Sequence, residues 1–236
     1  MNISQLNALA KLLSANPNEA KAIIKLASVD ILKSLGNEKY SVLLDNKTLT
    51  AQSNKPLAEG ATYWTQLAQN KNSTPQLSNL LKQPMMFKNF QNSAIEYSLK
   101  DLQTILGSNK PESMIKNALI EQLAGASTKE EFTNISTLLL SIQNQTLTIP
   151  FNYHGYFSVL QFKKRYNKKT KKTRIDFYAA LELLGPISGI ISFDEGSIGV
   201  ELNVAFDKTK QFLEDNMDTF SYDINISVTS SIEPLY

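Results

Sequence analysis

The chain of 236 residues contains no cysteine. Disulfides, thiolate nucleophiles and cysteine-based zinc sites are therefore excluded. Histidine occurs once, as His154, so no multi-histidine metal site can be built. A packing or surface role for His154 outweighs a catalytic one. Carboxylates are present, but no pair is marked out by spacing for acid–base work. No apolar run reaches the roughly 18–20 residues a membrane helix needs, and the first fifteen residues lack the cationic head and apolar block of a secretory signal. These absences lead us to expect a cytoplasmic protein without membrane insertion, without cofactor or small-molecule substrate, and not an enzyme.

What is present is a globular composition, 42% hydrophobic and 19% charged, sufficient for a buried core. The net charge of +2 conceals an asymmetry. Lys163, Lys164, Arg165, Lys168, Lys169, Lys171, Lys172 and Arg174 place eight cations in one stretch with no acid between them. Without these eight, +2 becomes −6, so a mildly acidic chain carries one basic spike.

Periodicity divides the chain. Ile3, Leu6, Leu9 and Leu13 recur at helical spacing. Asn16-Pro17 with Glu19 resembles a capped helix start, and Ile24, Ala27, Ile31 and Leu35 follow, with Gly36 as the C-cap. A helical hairpin is expected there. Tyr40, Val42 and Leu44 then alternate with polar residues. Asp45-Asn46 reads as a turn, and short strands around Leu49–Ala51 and Ala61–Leu67 complete a small β-meander. Trp64 points to the face opposite Tyr63, either covering a sheet edge or meeting a partner. Residues 69–92, polar and carrying Pro75 and Pro84, read as a linker whose Met85, Met86, Phe87 and Phe90 dock on a neighbour. Helices are expected from Ser93 with Glu96, from Pro111, and from Ser127 with Glu130, forming a small bundle.

After Pro150 the period becomes two. Strands are expected around Phe157–Phe162, Ile175–Leu183, Ile187–Phe193 and Ile198–Val204, then a helix capped by Asp207, then a strand Ile224–Val228. The fold class expected is α+β: an N-terminal helical hairpin with small β-meander (1–68), a linker (69–92), a central helical bundle (93–146), and a C-terminal antiparallel sheet with one covering helix (147–236). Asp194-Glu195-Gly196 suggests ordinary turn chemistry more than a metal site. The basic stretch falls at a hairpin tip. It is read as a contact for an acidic protein surface, as a nucleic-acid or phosphate contact, or as a solvated tip that keeps its edge unpaired.

From Ile149 to Val228 the sequence resembles the C-terminal domain of the bacterial flagellar hook-length control family. The resemblance is carried by Leu181-Glu182-Leu183-Leu184-Gly185-Pro186-Ile187, an alternating strand entering a Leu-Gly-Pro turn. The turn Asp194–Ser197, the strand Ile198–Val204, a helix after Phe206 and the strand Asp223–Val228 follow in the family's order. The resemblance implies a protein-binding module of the flagellar type III export apparatus, whose partner is the cytoplasmic domain of the export-switch protein. It places Leu184, Gly185, Pro186 and Ile187 in the family's turn and raises export through the flagellar apparatus. The long low-complexity ruler region of the family is missing. The segment Asn70 to Asn92 spans at most about 75–80 Å, so the chain looks like a short paralogue.

Overall fold

Pairing on both sides, rather than helical spacing, decides the first described segment. The computed structural model describes residues 26–44, 46–68, 76–91, 93, 95–153, 155–194, 197–217 and 223–236. Within it Leu26–Gly36 is a strand, β1. The helix expected over Ile24 to Leu35 is thereby overturned. Val29 and Ile31 are β-branched, two apart and both buried, which suits a strand paired on two sides. Register shifts after Ile31 and Ser34 break strict alternation, and this irregularity imitates a helical stripe. Gly36 at φ +79, Asn37 and Glu38 all have positive φ. They form the hairpin turn to β2 (Lys39–Leu44), where a left-handed glycine had read as a helix C-cap. The earlier half of the expected hairpin, Ile3 to Glu19, lies outside the described residues.

β3 (Lys47–Gln52), β4 (Thr62–Ala68) and β5 (Gln76–Lys82) complete a closed barrel in the order β1-β2-β3-β5-β4. β4 returns antiparallel to β1 and closes it. The expected meander lacked β5, because β5 lies in the segment 69–92 that composition had marked as a linker. Val29, Ile31, Tyr40, Val42, Ala51, Leu57, Tyr63 and Leu77 fill the barrel. Tyr40 and Tyr63 accept the Leu57 and Ala58 N–H groups on their phenol oxygens at 3.2 and 3.1 Å, which pins the β3–β4 connection over one end.

The remainder of the former linker holds α1 (Met85–Gln91), with Phe87 and Phe90 buried. α2 (Leu99–Gly107), α3 (Pro111–Ala124) and α4 (Lys129–Gln143) follow. Their capping boxes are Ser98 with Asp101 and Thr128 with Glu131, not the expected Ser93 with Glu96 and Ser127 with Glu130. The stretch before α2 is extended because Tyr97 bridges to Phe151. The expectation of a central helical bundle is overturned as well. α2 and α4 pack on β6 (Leu147–Tyr153). Their buried Leu102, Ile105, Ile135 and Leu138 belong to the same cluster as Ile149, Phe151 and Phe157. An apolar helix stripe is satisfied equally by a sheet and by another helix, so the stripes alone did not choose.

β7 (Tyr156–Asn167), β8 (Lys172–Leu181), β9 (Gly185–Asp194), β10 (Ser197–Val204) and β11 (Asp223–Val228) join β6 in a sheet ordered β11-β10-β9-β8-β7-β6. All neighbours are antiparallel except β10 and β11. That parallel pair is connected through α5 (Asp207–Asp215), as parallel strands require a crossover. Strand dominates the described residues, with eleven strands in two sheets and five helices. No helix among them is long and apolar enough to cross a membrane.

Trp64 ties the two sheets together. It is fully buried on the outside of the barrel. Its ring meets Phe87 edge-on at 5.5 Å, and Phe87 meets Phe157 of β7 edge-on at 5.2 Å. Neither an edge cover nor an exposed contact describes it. The indole N–H has no hydrogen-bond partner among the described residues, so packing must outweigh a desolvation cost of about 1–3 kcal/mol. Trp64→Ala is expected to destabilise the protein by about 3–5 kcal/mol, read as a lowered denaturant midpoint. A loss under 1 kcal/mol would show that the aromatic contact is dispensable.

Candidate functional site

The basic stretch is built on β7 and β8 and the turn between them. Arg165 and Arg174 lie directly opposite each other across the hairpin, and Lys163 lies opposite Asp176. Alternation puts all four on one face. Two arginines in register repel, and Asp176 resolves this. Its Oδ2 accepts the Arg165 Nε–H at 3.1 Å, while its Oδ1 forms an ion pair with Arg174 Nε at 2.9 Å. The Asp176 side chain is only 14% exposed and both arginines are about half exposed. The carboxylate thus fixes the two guanidinium groups while leaving much of each in solvent. Asp176 sits just beyond the basic stretch in sequence, which had contained no acid.

The turn is shaped locally. Asn167 Oδ1 accepts the backbone N–H groups of Lys169 at 2.9 Å and Thr170 at 3.3 Å, an Asx-type turn. Lys171 adopts φ +55 to bring the chain back. Lys164, Lys168, Lys169, Lys171 and Lys172 are exposed and Lys163 is half-buried. The tip bounds a concavity of about 740 Å3 lined by Arg165, Lys168, Lys169, Lys172 and Arg174, together with Tyr166, Asn167, Thr170, Thr173, Ser192 and Phe193. Five cations line it and no acid does. Tyr166 is 59% exposed and Phe193 38%.

Phe193 was not legible as part of this site. It lies nineteen positions past Arg174 in sequence and reaches the tip only because β9 pairs with β8 from Arg174↔Ser192 onward. The signal that could have found it is the length of β9. β9 runs on to Asp194, two residues past its last pair with β8 at Arg174↔Ser192, which leaves Phe193 beside the tip.

The other predicted group, Leu184 to Ile187, lies away from the tip and from solvent. Leu184, Gly185, Pro186 and Ile187 are all buried. Thr209 Oγ1 donates to the Leu184 carbonyl at 2.8 Å, tying α5 to the turn. Glu182 Oε2 accepts the Phe157 N–H at 2.9 Å, tying the turn to β7. Gly185 has φ +77, and a Cβ there would stand 2.6 Å from the Phe206 ring and 3.5 Å from Leu26. Conformation and space both demand glycine. These four residues hold the fold and offer no surface to a partner.

His154 and the Glu195-Gly196 pair lie outside the described residues. Among the described residues no three His, Cys, Asp or Glu side chains gather as a metal site would need. Burial, with the Glu233 charge adding to it, pushes the Tyr178 phenol well above its ordinary range. The Tyr178 hydroxyl has no hydrogen-bond partner among the described residues, so it is poorly placed to pass a proton.

No protein-family model matches the chain, and no curated protein matches it.

Gly185→Val is expected to cost about 2–4 kcal/mol through left-handed strain and the Phe206 clash. An unchanged melting temperature would mean that the turn is tolerant and that its glycine serves something other than packing.

Proposed function

We propose that this chain is a non-enzymatic binding protein that docks an acidic protein surface with the β7–β8 hairpin. In line with its resemblance to the hook-length control family, that surface belongs to the cytoplasmic domain of the flagellar export-switch protein. The observation that carries the reading is the concavity at the tip, where five cations and two exposed aromatics converge without an acid in the lining. Arginine and aromatic side chains are the anchors that protein interfaces favour. Arg165 and Arg174 are already oriented by Asp176, so little rotamer freedom remains to be lost on docking. The lysines of the turn act at longer range, raising the encounter rate with an acidic partner.

The resemblance contributes the partner's identity. The element order after β8, namely a turn, β9, β10, α5 and β11, is the order on which it rests. In this reading Leu184, which ends the turn after β8, and Gly185 to Ile187, which open β9, support the module from inside and the hairpin makes the contact.

One observation favours a second reading, nucleic-acid or phosphate binding. Phe193 joins Tyr166 beside the cations, and aromatics among cations are what a single strand stacks on. Against it stands the short reach of the positive surface, confined to one hairpin of a chain that is otherwise net acidic. Nucleic-acid binders spread their charge along a stripe or face.

Replacing Lys168, Lys169, Lys171 and Lys172 together by serine separates the readings. Stability should stay within about 0.5 kcal/mol, because these side chains are exposed. Association with the export-switch cytoplasmic domain, followed by surface plasmon resonance, should slow about tenfold and become less salt-sensitive. Wild-type binding to single-stranded DNA or RNA near physiological salt, steep in salt and abolished by the four serines, would replace the first reading with the second.

A further inference from the structure

The two edges of the C-terminal sheet are finished differently. β6 contains Pro150, and Tyr97 lies along its outer side. The Tyr97 N–H donates to the Pro150 carbonyl at 3.2 Å, and the Tyr97 carbonyl accepts the Asn152 N–H at 3.3 Å. At the other edge β11 pairs only with β10 among the described residues. That pairing runs unbroken from Gly199↔Asp223 to Val204↔Val228, with no bulge. The strand, Asp-Ile-Asn-Ile-Ser-Val, holds no lysine, arginine or proline. Charged side chains, lysine above all, proline and bulges are devices by which natural edges repel an added strand; β11 carries one of them, Asp223 at its first residue, and none from Ile224 to Val228.

The free backbone groups can be assigned. The Thr229 N–H donates to the Val204 carbonyl of β10 at 2.9 Å. In a parallel ladder alternate residues turn their N–H and C=O to the same neighbour. Asn225 and Ser227 therefore bond toward β10, while Ile224, Ile226 and Val228 present theirs to the open edge. The same three residues carry the apolar side chains. Val228 is 42% exposed, and Ile224 and Ile226 are partly buried at the margin of the core. They end an apolar row that crosses the sheet through Ile191 and Val200 to Ile224.

We propose that β11 pairs antiparallel with β11 of a second copy, about a two-fold axis at Ile226. In that register Ile226 faces Ile226, and Ile224 faces Val228 of the other copy. Every outward N–H and carbonyl of both strands then finds a partner. The apolar row continues across the axis on one face, and Asn225 lies against Ser227 on the other. Moving the axis to Asn225 would leave Val228 outside the ladder. Moving it by half a residue would set isoleucines against polar side chains on the wrong face. The register is thus selected by the strand itself, and this self-complementarity singles out a second copy as the occupant. A two-fold interface must match its own surface in just this way. The pairing joins two six-stranded sheets into one and removes both exposed edges.

The test uses the full chain in sedimentation velocity over roughly 1–100 μM, where an interface of modest size associates. Wild type should shift from monomer to dimer as concentration rises. Ile226→Lys places two like charges at the axis, so it should remain monomeric throughout while still melting cooperatively, at a temperature lowered by the loss of its contacts at the core margin. The absence of cysteine permits a register test under mild oxidation. Ile226→Cys should form a disulfide-linked dimer, because directly opposed hydrogen-bonded residues have Cα atoms about 5.5 Å apart. Thr229→Cys should not, because its counterpart would lie about 20 Å away. A wild type that stays monomeric throughout, or a dimer that survives Ile226→Lys, would overturn the proposal. So would crosslinking at 229 without crosslinking at 226. A monomer whose Ile224, Ile226 and Val228 amides gain exchange protection only when another protein is added would overturn it in favour of a foreign strand.

Discussion

The edge-to-face stack of Trp64, Phe87 and Phe157 is the contact through which the rest of the chain is organised. Each ring comes from a different kind of element: a barrel strand, a short helix and a strand of the large sheet. A barrel of five short strands encloses few side chains, and Val29, Ile31 and their neighbours supply a small core. The larger cluster takes Leu26 and Trp64 from the outer wall of that barrel. Burial on both sides of β1 and β4 is therefore what makes the barrel part of the molecule. α1 is the wedge in this arrangement. Seven residues make too short a helix to be stable by itself, and it holds its place through Phe87 and Phe90, each almost fully buried.

Polar bonds at the same junction fix its geometry where packing alone would leave it free. Gln161 of β7 is fully buried. Its Nε2 donates to Thr148 Oγ1 at 3.2 Å and lies 3.7 Å from Met86 Sδ, while its Oε1 accepts the Leu235 N–H at 2.8 Å. One side chain thereby ties β6, α1 and the C-terminal residues to β7. A buried amide with its groups satisfied is directional in a way that apolar contacts are not. With β7 held at this end, its other end is free to project as the basic hairpin.

How much of this was legible depended on whether a signal was local. The alternation of β7 to β10 and the cationic spike are properties of neighbouring residues, and they appear in the sequence where the structure has them; the break expected at Gly185-Pro186 falls earlier, at Glu182–Leu184, and Gly185-Pro186 opens β9. The helices α2 to α4 also announce themselves by spacing, with the capping boxes of α2 and α4 displaced by five residues and by one. β1 failed because its register shifts after Ile31 and Ser34 gave a strand the spacing of a helix. β5 failed because Gln76–Lys82 is polar enough to resemble a linker, and only its pairing with β4 makes it a strand. Phe193 failed because it belongs to the basic site through cross-strand register alone, and half of the role of Asp176, its bond to Arg165, has the same origin, while its bond to Arg174 is local to β8. A site assembled across strands cannot be read until the register is known.

The burial of Leu184 to Ile187 bears on what a sequence resemblance can carry. The residues on which the resemblance rests are held by the fold itself: a Cβ on Gly185 would meet Phe206 and Leu26, and the Leu184 carbonyl accepts the Thr209 hydroxyl. A strand that must stop, turn left-handed and restart beneath a helix needs glycine and tolerates proline next to it, whatever the module binds. Such a motif speaks to architecture first, and fold does not by itself determine function. The hairpin tip is under the opposite constraint. Its lysines are exposed and bear little of the fold, so nothing internal requires so many cations beside two exposed aromatics. Charge concentrated where stability does not need it is the feature that most calls for a partner, and it is on the tip, not the turn, that a functional reading of this chain has to rest.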